Sequence, residues 1–350
     1  MPIESVRGLY DDPDGFDSGW WKRGAELGWT SFLIPEALGG GSLSGDGPVD
    51  LAIIAEELGR TLAPGPLLPT NVVAETIGRS GSATQQALLA DVVAGELILA
   101  WAFCEPEGSW SPDDVQLTAT GTADGYSLMG TKTAVEAGAQ ADHILVSART
   151  PEGLTQFLIP ASTPGLVVTP QESLDLGRRF AAIRFDSIEV SAETVVGTVG
   201  GAAADIDRQL MMAMMIQSFD SAGAAARVFE FTVEYAFDRY SFGRPLASYQ
   251  ALKHRFADMK LWLEAGHAVS DGAADALADG VETAHRVLAA SAWVGDHAVE
   301  IMHDCVQMHG GIGVTWEHDI HLYLRRATVN RGLFGTPTEL RDRLGAVLDA

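Results

Sequence analysis

Residues 210–240, LMMAMMIQSFDSAGAAARVFEFTVEYAFDRY, form a long helical pattern that is apolar on nearly all sides. A helix of this kind belongs at the centre of a bundle, because every side of it must be covered. The six positions from Leu210 to Met215 hold five large apolar side chains, interrupted only by Ala213. Since one bundle core rarely surrounds a helix completely, we expect part of this surface to contact another subunit.

The sequence before this helix changes character once. Up to about residue 96, apolar residues recur at helical spacing, and Asp50 and Ser82 are the expected N-caps. Between 97 and 200, short runs rich in Val, Ile, Thr and Phe alternate with Gly and Pro breaks. That alternation is typical of an antiparallel β-domain.

Helical spacing returns at about residue 201 and continues to the end of the chain. The long helix should end at Gly243–Pro245, and three or four further helices should follow. We therefore predict an α+β protein with an N-terminal helical domain (1–96), a middle antiparallel β-domain (97–200) and a C-terminal four-helix-bundle domain (201–350).

The composition excludes several classes of function. The net charge is −24 and no Lys/Arg cluster is present, so we expect no nucleic-acid partner. No apolar run approaches the ~18 residues of a membrane span, and the start MPIESVRGLYDDPDGFD lacks the order of an export signal. We therefore predict a cytoplasmic protein. Cys104 and Cys305 lie far apart without CxxC spacing, which favours reduced, buried thiols.

Two stretches carry candidate chemistry. Arg239 closes the long helix, where it either stabilises the helix C-terminus or binds an anion. QMHGGIGVTWE, residues 307–317, has three glycines in four positions, which allow close backbone approach and expose N–H groups to an anion. A helix C-cap is the alternative, although it needs one glycine. His318 and His321 lack the HExxH pattern and their acidic neighbours point elsewhere, so we predict no metal site.

Together, three stretches resemble the C-terminal domain of the acyl-CoA dehydrogenase family. They are EYAFDRYSFGRPLASYQALKHRFADM, QMHGGIGVTWEHDIHLYLRRA and GLFGTPTEL, in this order. LIPEALGGGSLS and AEELGRTLAPGP resemble the N-terminal domain of that family, and CEPEGS and GTKTAVEAGAQADHILVSART resemble its β-domain. The resemblance implies FAD as cofactor and acyl-CoA as substrate. A carboxylate would remove the α-proton while the β-hydrogen passes as hydride to FAD, giving a 2-enoyl-CoA.

The resemblance also implies which residues contact FAD. In the family, an R-x-x-F-G turn and a Gln of the next helix reach across a subunit interface to a neighbour's FAD. A Q-x-x-G-G-x-G segment cradles the flavin pyrophosphate across the same interface. The matching cofactor-binding positions are Arg239, Phe242 and Gln250, then Gln307, Gly310, Gly311 and Gly313, with Thr336 of the last motif added.

The residues that would serve a flavin held by this chain itself depart from the family pattern. The family's Trp-Ile-Thr triplet, which packs on the flavin ring, is replaced by Ala134, Val135 and Glu136. Cys104 replaces a Thr that precedes Glu-Pro. We therefore expect a loss of stacking and hydrogen bonds, with a carboxylate added, at this subsite.

The catalytic base is replaced as well. Family members commonly carry a Glu before the G-T of the last motif, where this chain has Phe334. Others carry it on the central helix, at a position that corresponds to Ala213 or a neighbour. Neither side chain accepts a proton. Asp220, about two turns along the same helix, is the nearest carboxylate and a weak candidate for the base, with an interface or solvated Asp as the alternative.

Three hypotheses follow. The first is a subunit of a hetero-oligomeric acyl-CoA dehydrogenase that completes the FAD site of a homologous partner and has no competent site of its own. The second is a self-sufficient divergent flavoenzyme, either a dehydrogenase that uses Asp220 or a flavin monooxygenase, assembled as a homo-oligomer. The third is a scaffold without catalysis or FAD. The retained Gln307 and glycines favour the first over the third.

Overall fold

The computed structural model describes residues 1–281 and 283–348. The N-terminal part is helical, as predicted. Its helices are α1 (Ile3–Gly8), α2 (Ser18–Glu26), α3 (Gly47–Thr61), α4 (Leu67–Ser80), α5 (Ala83–Ala87) and α6 (Leu89–Val93). Of these, α3 and α4 pack on the central helix of the C-terminal domain and extend the core of that domain.

The two expected N-caps in this region had different outcomes. Ser82 caps α5, where its side chain accepts a hydrogen bond from the backbone of the third helical residue. The Asp50 prediction was wrong, because Asp46 caps α3 by accepting from the backbone N–H of Val49. Asp50 lies inside the helix, and its carboxylate accepts from the Ser42 hydroxyl at 2.6 Å. The hydrogen bonds to Asp50 hold the preceding loop against the helix and lower the pKa of its carboxyl despite the opposing effect of desolvation.

The middle domain is a β-domain, as predicted. Its strands form one eight-stranded sheet. Its strands are β1 (Leu99–Ala102), β2 (Thr118–Gly121), β3 (Gly125–Glu136), β4 (His143–Thr150), β5 (Gly153–Pro160), β6 (Val167–Gln171), β7 (Phe180–Ser191) and β8 (Val195–Val196). The order is β6-β7-β3-β2-β4-β5-β8, with β1 paired to β4. Most pairs are antiparallel, but β4 is parallel to both β1 and β2.

The C-terminal part is helical and starts at Ala203. It contains α7 (Ala203–Asp238), the short strands β9 (Tyr240–Ser241) and β10 (Arg244–Pro245), α8 (Gln250–Asp279), α9 (Thr283–His309), α10 (Ile320–Gly332) and α11 (Pro337–Leu348). Helix α9 packs against α7, α8, α10 and α11. The long helix therefore ends before the predicted Gly243–Pro245, which lies in the β9–β10 hairpin. Three positions of the predicted domain, 282, 349 and 350, lie outside the described residues.

The expectation that Leu210–Met215 contact another subunit was wrong. Each of these side chains is buried within the chain itself, with 8% exposure at most. They belong to a core cluster that also contains Leu51 of α3, Val73 of α4 and Leu288 of α9. The N-terminal helices thus cover the side of α7 that the C-terminal bundle leaves open.

Both cysteines are free and buried, as predicted. Desolvation raises the pKa of the Cys104 thiol to about 11 and that of the Cys305 thiol to about 12, so both are protonated at neutral pH. Within residues 1–281 and 283–348, no helix is long and apolar enough to cross a membrane. The cytoplasmic location stays a prediction.

Candidate functional site

The β9–β10 hairpin after α7 exposes three of the predicted cofactor ligands. Arg239 and Gln250, which flank the hairpin, are both exposed. Phe242 at the hairpin tip is 97% exposed and has a φ of 52°, a conformation that large side chains rarely adopt. Packing within the chain does not account for this ring. Strained backbone with an exposed aromatic side chain is typical of a ligand contact.

The segment after α9 is a 3-10 turn, Gly310–Val314, which we call the glycine turn. Gly310 and Gly311 are exposed, and a Cβ built on either would meet no other atom within 4 Å. Their backbone is therefore open to close approach by a ligand. Gly313 has a different role, because it is buried and its Cβ would lie 2.8 Å from the carbonyl oxygen of Val306. Gln307, on the last turn of α9, is exposed.

These two segments present groups suited to a phosphate-bearing ligand. The guanidinium of Arg239 is free to make charge-assisted hydrogen bonds to phosphate oxygens. Arg244, in the same hairpin, packs its guanidinium over the ring of Tyr249 at 3.9 Å. Because the chain as a whole is strongly acidic, an anionic ligand must be bound by local arginines and by backbone N–H groups. Arg239, Gly310 and Gly311 are thus accessible to such a ligand.

The residues that would serve a flavin held by this chain itself include the triplet Ala134, Val135 and Glu136 of β3. Around Ala134 the β3–β7 pairing shifts by a bulge between Lys132 and Val135, and Ala134 has a φ of 49°. Val135 is buried in the sheet core. Glu136 faces the C-terminal domain and forms a two-point ion pair with Arg178, with Oε–N distances of 2.8 and 2.5 Å. A buried ion pair thus stands where the family places a Thr against the flavin.

The Glu136–Arg178 pair continues into a network that joins the β-domain to α7 and α10. Arg178 donates to the Asn330 side-chain oxygen at 2.6 Å, and Asn330 donates to Asp220 at 2.7 Å. Arg326 donates to Asp220 at 3.0 Å and forms a second ion pair, with Asp175. Desolvation alone would lower the pKa of Arg326, but the charges of Asp175 and Asp220 outweigh it and raise that pKa.

Asp220 is a shared acceptor of this network. Both of its carboxylate oxygens accept a hydrogen bond, one from Arg326 and one from Asn330. A general base must reach the proton that it removes, with a carboxylate oxygen available to accept it. This geometry argues against Asp220 as a relocated base.

Phe334 lies in an aromatic cluster on the opposite wall. It is 3% exposed, and its ring lies 6.0 Å from that of Trp101 and 4.7 Å from that of Trp110, measured between centroids. Phe103 stacks on both tryptophans, at 5.5 and 6.1 Å. The φ of Phe334 is 64°, so this tight packing holds it in an unfavourable backbone conformation.

The crevice between these walls, which we call the own crevice, is defined by Ala134, Glu136, Arg178 and Phe334. The gap there has about 280 Å³ with the solvent at its mouth included. This volume is just below the roughly 300–1,000 Å³ of small-molecule sites, and a flavin ring also needs an open planar slot. Aromatic side chains and the Glu136–Arg178 ion pair line the gap, so the side chains as they stand leave little room for a flavin ring.

A second cavity, of about 440 Å³, borders the ion-pair network. Its polar wall includes Arg178 and Arg326, whose guanidinium groups already donate to carboxylates. Activation of an acyl thioester needs donors that are free to bind the developing oxyanion. Both guanidinium groups thus serve first to join the β-domain to the C-terminal helices.

The other polar side chains singled out from the sequence have structural contacts. The Thr336 hydroxyl caps α11 by accepting the backbone N–H of Glu339 at 3.4 Å, and it donates to the Glu339 carboxylate at 2.8 Å. His318 accepts the backbone N–H of Ile320 at 3.1 Å, and the ring of His321 stacks on Trp316. Among residues 1–281 and 283–348, no group of three or more His, Cys, Asp or Glu side chains could hold a metal ion.

Comparison with known proteins identifies the architecture. Residues 4–96, 100–188 and 202–348 match the acyl-CoA dehydrogenase N-terminal, middle and C-terminal domains, in that order. The acyl-CoA dehydrogenase IpdE2 of Mycolicibacterium smegmatis (strain ATCC 700084 / mc(2)155) is 32% identical over 348 residues, which cover 98% of this chain and 92% of the relative. The chain belongs to the acyl-CoA dehydrogenase family. This family consists of FAD-dependent enzymes, so the predicted cofactor and fold are confirmed at that level.

Two solved structures with the same fold have descriptions that name two chains each. The ChsE4–ChsE5 complex from Mycobacterium tuberculosis matches with a TM-score of 0.90 and 29% identity, over 99% of this chain and 92% of that chain. A variant of the steroid ACAD Tcur3481–Tcur3483 matches with a TM-score of 0.89 and 30% identity, over the same shares. This acyl-CoA dehydrogenase family member thus resembles subunits of heteromeric relatives.

Sequence reasoning missed the residues that fill the own crevice. Trp101 lies in β1, Phe103 directly follows that strand and Trp110 comes soon after, which is a detectable signal for an aromatic cluster. Arg178 gave no comparable signal, because it meets Glu136 only through the pairing of β3 with β7. Asn330 and Arg326 lie four residues apart on one face of α10, and their shared partner Asp220 is on another helix.

Proposed function

We propose that this chain is the non-catalytic, FAD-site-completing subunit of a hetero-oligomeric acyl-CoA dehydrogenase. The assembly would carry out α,β-dehydrogenation of an acyl-CoA thioester to a 2-enoyl-CoA. The homologous partner chain would hold the flavin ring, the substrate and the base. This chain would contribute the groups that bind the flavin pyrophosphate from across the interface.

One observation carries the proposal, the contrast between two phenylalanines. Phe242, on the side that the family offers to a neighbour, is 97% exposed, whereas Phe334, on the side that serves the chain's own site, is 3% exposed. An exposed aromatic ring in a strained turn requires a partner to bury it. A buried ring in place of a base leaves the chain's own site without a proton acceptor.

The residues of this chain have binding and positioning roles in that assembly. Arg239 would pair with the pyrophosphate of the partner's FAD, and the amides of Gly310 and Gly311 would donate to it. Gln250 and Gln307 would supply side-chain amides, and Phe242 would pack on the cofactor. When bound, FAD accepts the hydride from the β-carbon of the acyl group.

The likeness to two-chain relatives supports the hetero-oligomer. One is described as a ChsE4–ChsE5 complex and another as a steroid ACAD with a double name, and both match over nearly the whole chain. We extend their class of substrate to this chain and propose a bulky acyl-CoA, such as a steroid side-chain thioester. The enzyme would bind no nucleic acid and no membrane.

Flavin quantification per chain tests the proposal. The chain is purified alone, and also through an affinity tag as part of its native assembly. We expect no stoichiometric flavin in the isolated chain. In the assembly we expect one FAD for each pair of unlike chains, together with dehydrogenase turnover. Stoichiometric flavin and turnover in a homo-oligomer of this chain alone would refute the proposal.

A further inference from the structure

We propose that His309 is a positioning residue that fixes the spacing between the β9–β10 hairpin and the glycine turn. This inference rests on the proposed function, because it concerns how this chain presents both segments to the partner's flavin. His309 ends α9 and immediately precedes Gly310, whose φ of 64° turns the chain. Its side chain does not touch the cofactor in this account, since it is 4% exposed and lies beneath the turn.

His309 is held from several sides. Its ring stacks on Tyr235 of α7, with centroids 4.3 Å apart and an interplanar angle of 21°. His318 packs edge-on against it at 4.6 Å, and Phe231 does so at 5.8 Å. Its Nδ1 lies 2.8 Å from the carbonyl oxygen of Cys305, and a carbonyl can only accept, so Nδ1 carries the proton and donates.

Tyr235 connects His309 to both segments. The Tyr235 hydroxyl donates to the backbone carbonyl of His309 at 3.4 Å, directly before the glycine turn. The backbone carbonyl of Tyr235 accepts the N–H of Arg239 at 2.8 Å, and the Arg239 carbonyl accepts the N–H of Leu246 at the end of the hairpin. The Tyr235–His309 pair is therefore a direct contact between the helices that carry Arg239 and Gly310, next to both segments.

This spacing matters because one pyrophosphate would be bound by both segments at once. A guanidinium on one side and backbone amides on the other must lie at hydrogen-bonding distance together. A shift of a fraction of an ångström between supporting elements weakens such a two-sided site. Loss of the His309 ring would allow the hairpin and the glycine turn to move relative to each other. It would not remove any group that contacts the cofactor.

The same helix contains a matched control. His297 of α9 stacks on Trp293 at 4.0 Å with an angle of 16°, and its Nδ1 lies 2.9 Å from the Trp293 carbonyl oxygen. His297 therefore has the same two interactions, a stacked ring and a bond to the carbonyl four residues earlier. It lies three turns before the glycine turn and supports neither flavin-facing segment.

The experiment measures FAD dissociation from the tagged native assembly with five variants of this chain. They are H309A, H309F, H309N, H297A and R239A. We expect H309A to raise the FAD dissociation constant by about threefold to tenfold, the effect of losing one aromatic stack, at an unchanged FAD spectrum. H309F keeps the stack and should restore affinity to within about twofold, whereas H309N keeps only the donor and should behave like H309A. H297A should lower the melting temperature without changing FAD affinity.

Each outcome has one meaning. If R239A weakens FAD binding while H309A has no more effect than H297A, the positioning role is refuted and the proposed function stands. If neither R239A nor H309A changes FAD binding, the proposed function itself fails. Equal losses of FAD affinity in H309F and H309A would also overturn the inference, because the aromatic stack would then contribute nothing to FAD binding.

Discussion

The ring of Phe334 lies nearly parallel to that of Trp101, with centroids 6.0 Å apart and an interplanar angle of 25°. This contact joins the C-terminal helical domain to the first strand of the β-domain across the own crevice. In an acyl-CoA dehydrogenase with a competent site, a cofactor and a base would occupy that region. Here an aromatic contact lies in that region, and such a contact contributes to stability.

The substitution Phe334→Glu should therefore not create a dehydrogenase. A carboxylate there would be buried between Trp101 and Trp110, and the ion pair at Glu136 would still exclude the flavin. We expect no enoyl-CoA formation by the isolated variant and a loss of about 3–5 kcal/mol in the free energy of unfolding. Urea denaturation gives the second quantity, and Phe242→Glu, the same change on an exposed ring, should cost far less. Acyl-CoA oxidation by the single variant would show that the own crevice still accepts FAD.

Asp220→Asn separates a structural carboxylate from a catalytic one. Removing the charge leaves Arg326 with Asp175 alone and unbalances a buried network, so we expect a loss of about 3 kcal/mol in unfolding free energy. Turnover of the folded assembly should stay within about twofold of the parent, less than the loss of a general base would cause. Asp271→Asn, on an exposed face of α8, is the control and should leave stability unchanged. A large fall in kcat at full stability would make Asp220 the base.

Arg239→Ala tests the outward-facing half of the site. A guanidinium at a pyrophosphate makes charge-assisted bonds of roughly 1.5–3 kcal/mol, so the FAD dissociation constant of the assembly should rise by about tenfold to a hundredfold. The isolated chain should keep its melting temperature, because Arg239 is exposed. Flavin content after dialysis is the measurement. Arg184→Ala, an exposed arginine of the β-domain, should retain flavin, and unchanged flavin in both variants would remove Arg239 from the site.

Stability should fall as the pH decreases below about 6.5, the usual pKa of a histidine. Desolvation lowers the pKa of His309, His318 and His321 below the usual value. The unfolded chain therefore binds more protons than the folded chain in this range, and the stability present above pH 6.5 is lost as the pH falls through the folded pKa values. Urea denaturation at several pH values measures the slope, and His309→Phe should make it shallower. A flat or opposite slope would contradict the burial of these rings.

The fold followed from the sequence because its signals are local. Helical spacing marks the first and third regions, and β-branched runs with Gly and Pro breaks mark the second. These patterns do not depend on which other part of the chain packs against them. The error at Leu210–Met215 arose because their cover comes from Leu51 and Val73, far away in sequence. Periodicity shows that a side must be covered and does not show which part of the chain covers it.

In the candidate site, too, local features could be predicted from the sequence and long-range contacts could not. The departure from the family's flavin-ring triplet could be recognised at Ala134 and Glu136, since the residue type at each position is enough to show it. The ion pair at this position could not be predicted, because the partner of Glu136 is Arg178, which the pairing of β3 with β7 brings close. The support beneath the glycine turn also escaped notice, since the Tyr235–His309 contact joins two helices.

The most direct test of the account is the position of FAD in the density of the native assembly, determined by cryo-electron microscopy. We predict flavin density in the crevice of the partner chain, with its pyrophosphate against Arg239 and the glycine turn of this chain. We also predict that side chains fill the own crevice of this chain. Flavin density between Ala134 and Phe334 of this chain would contradict the account.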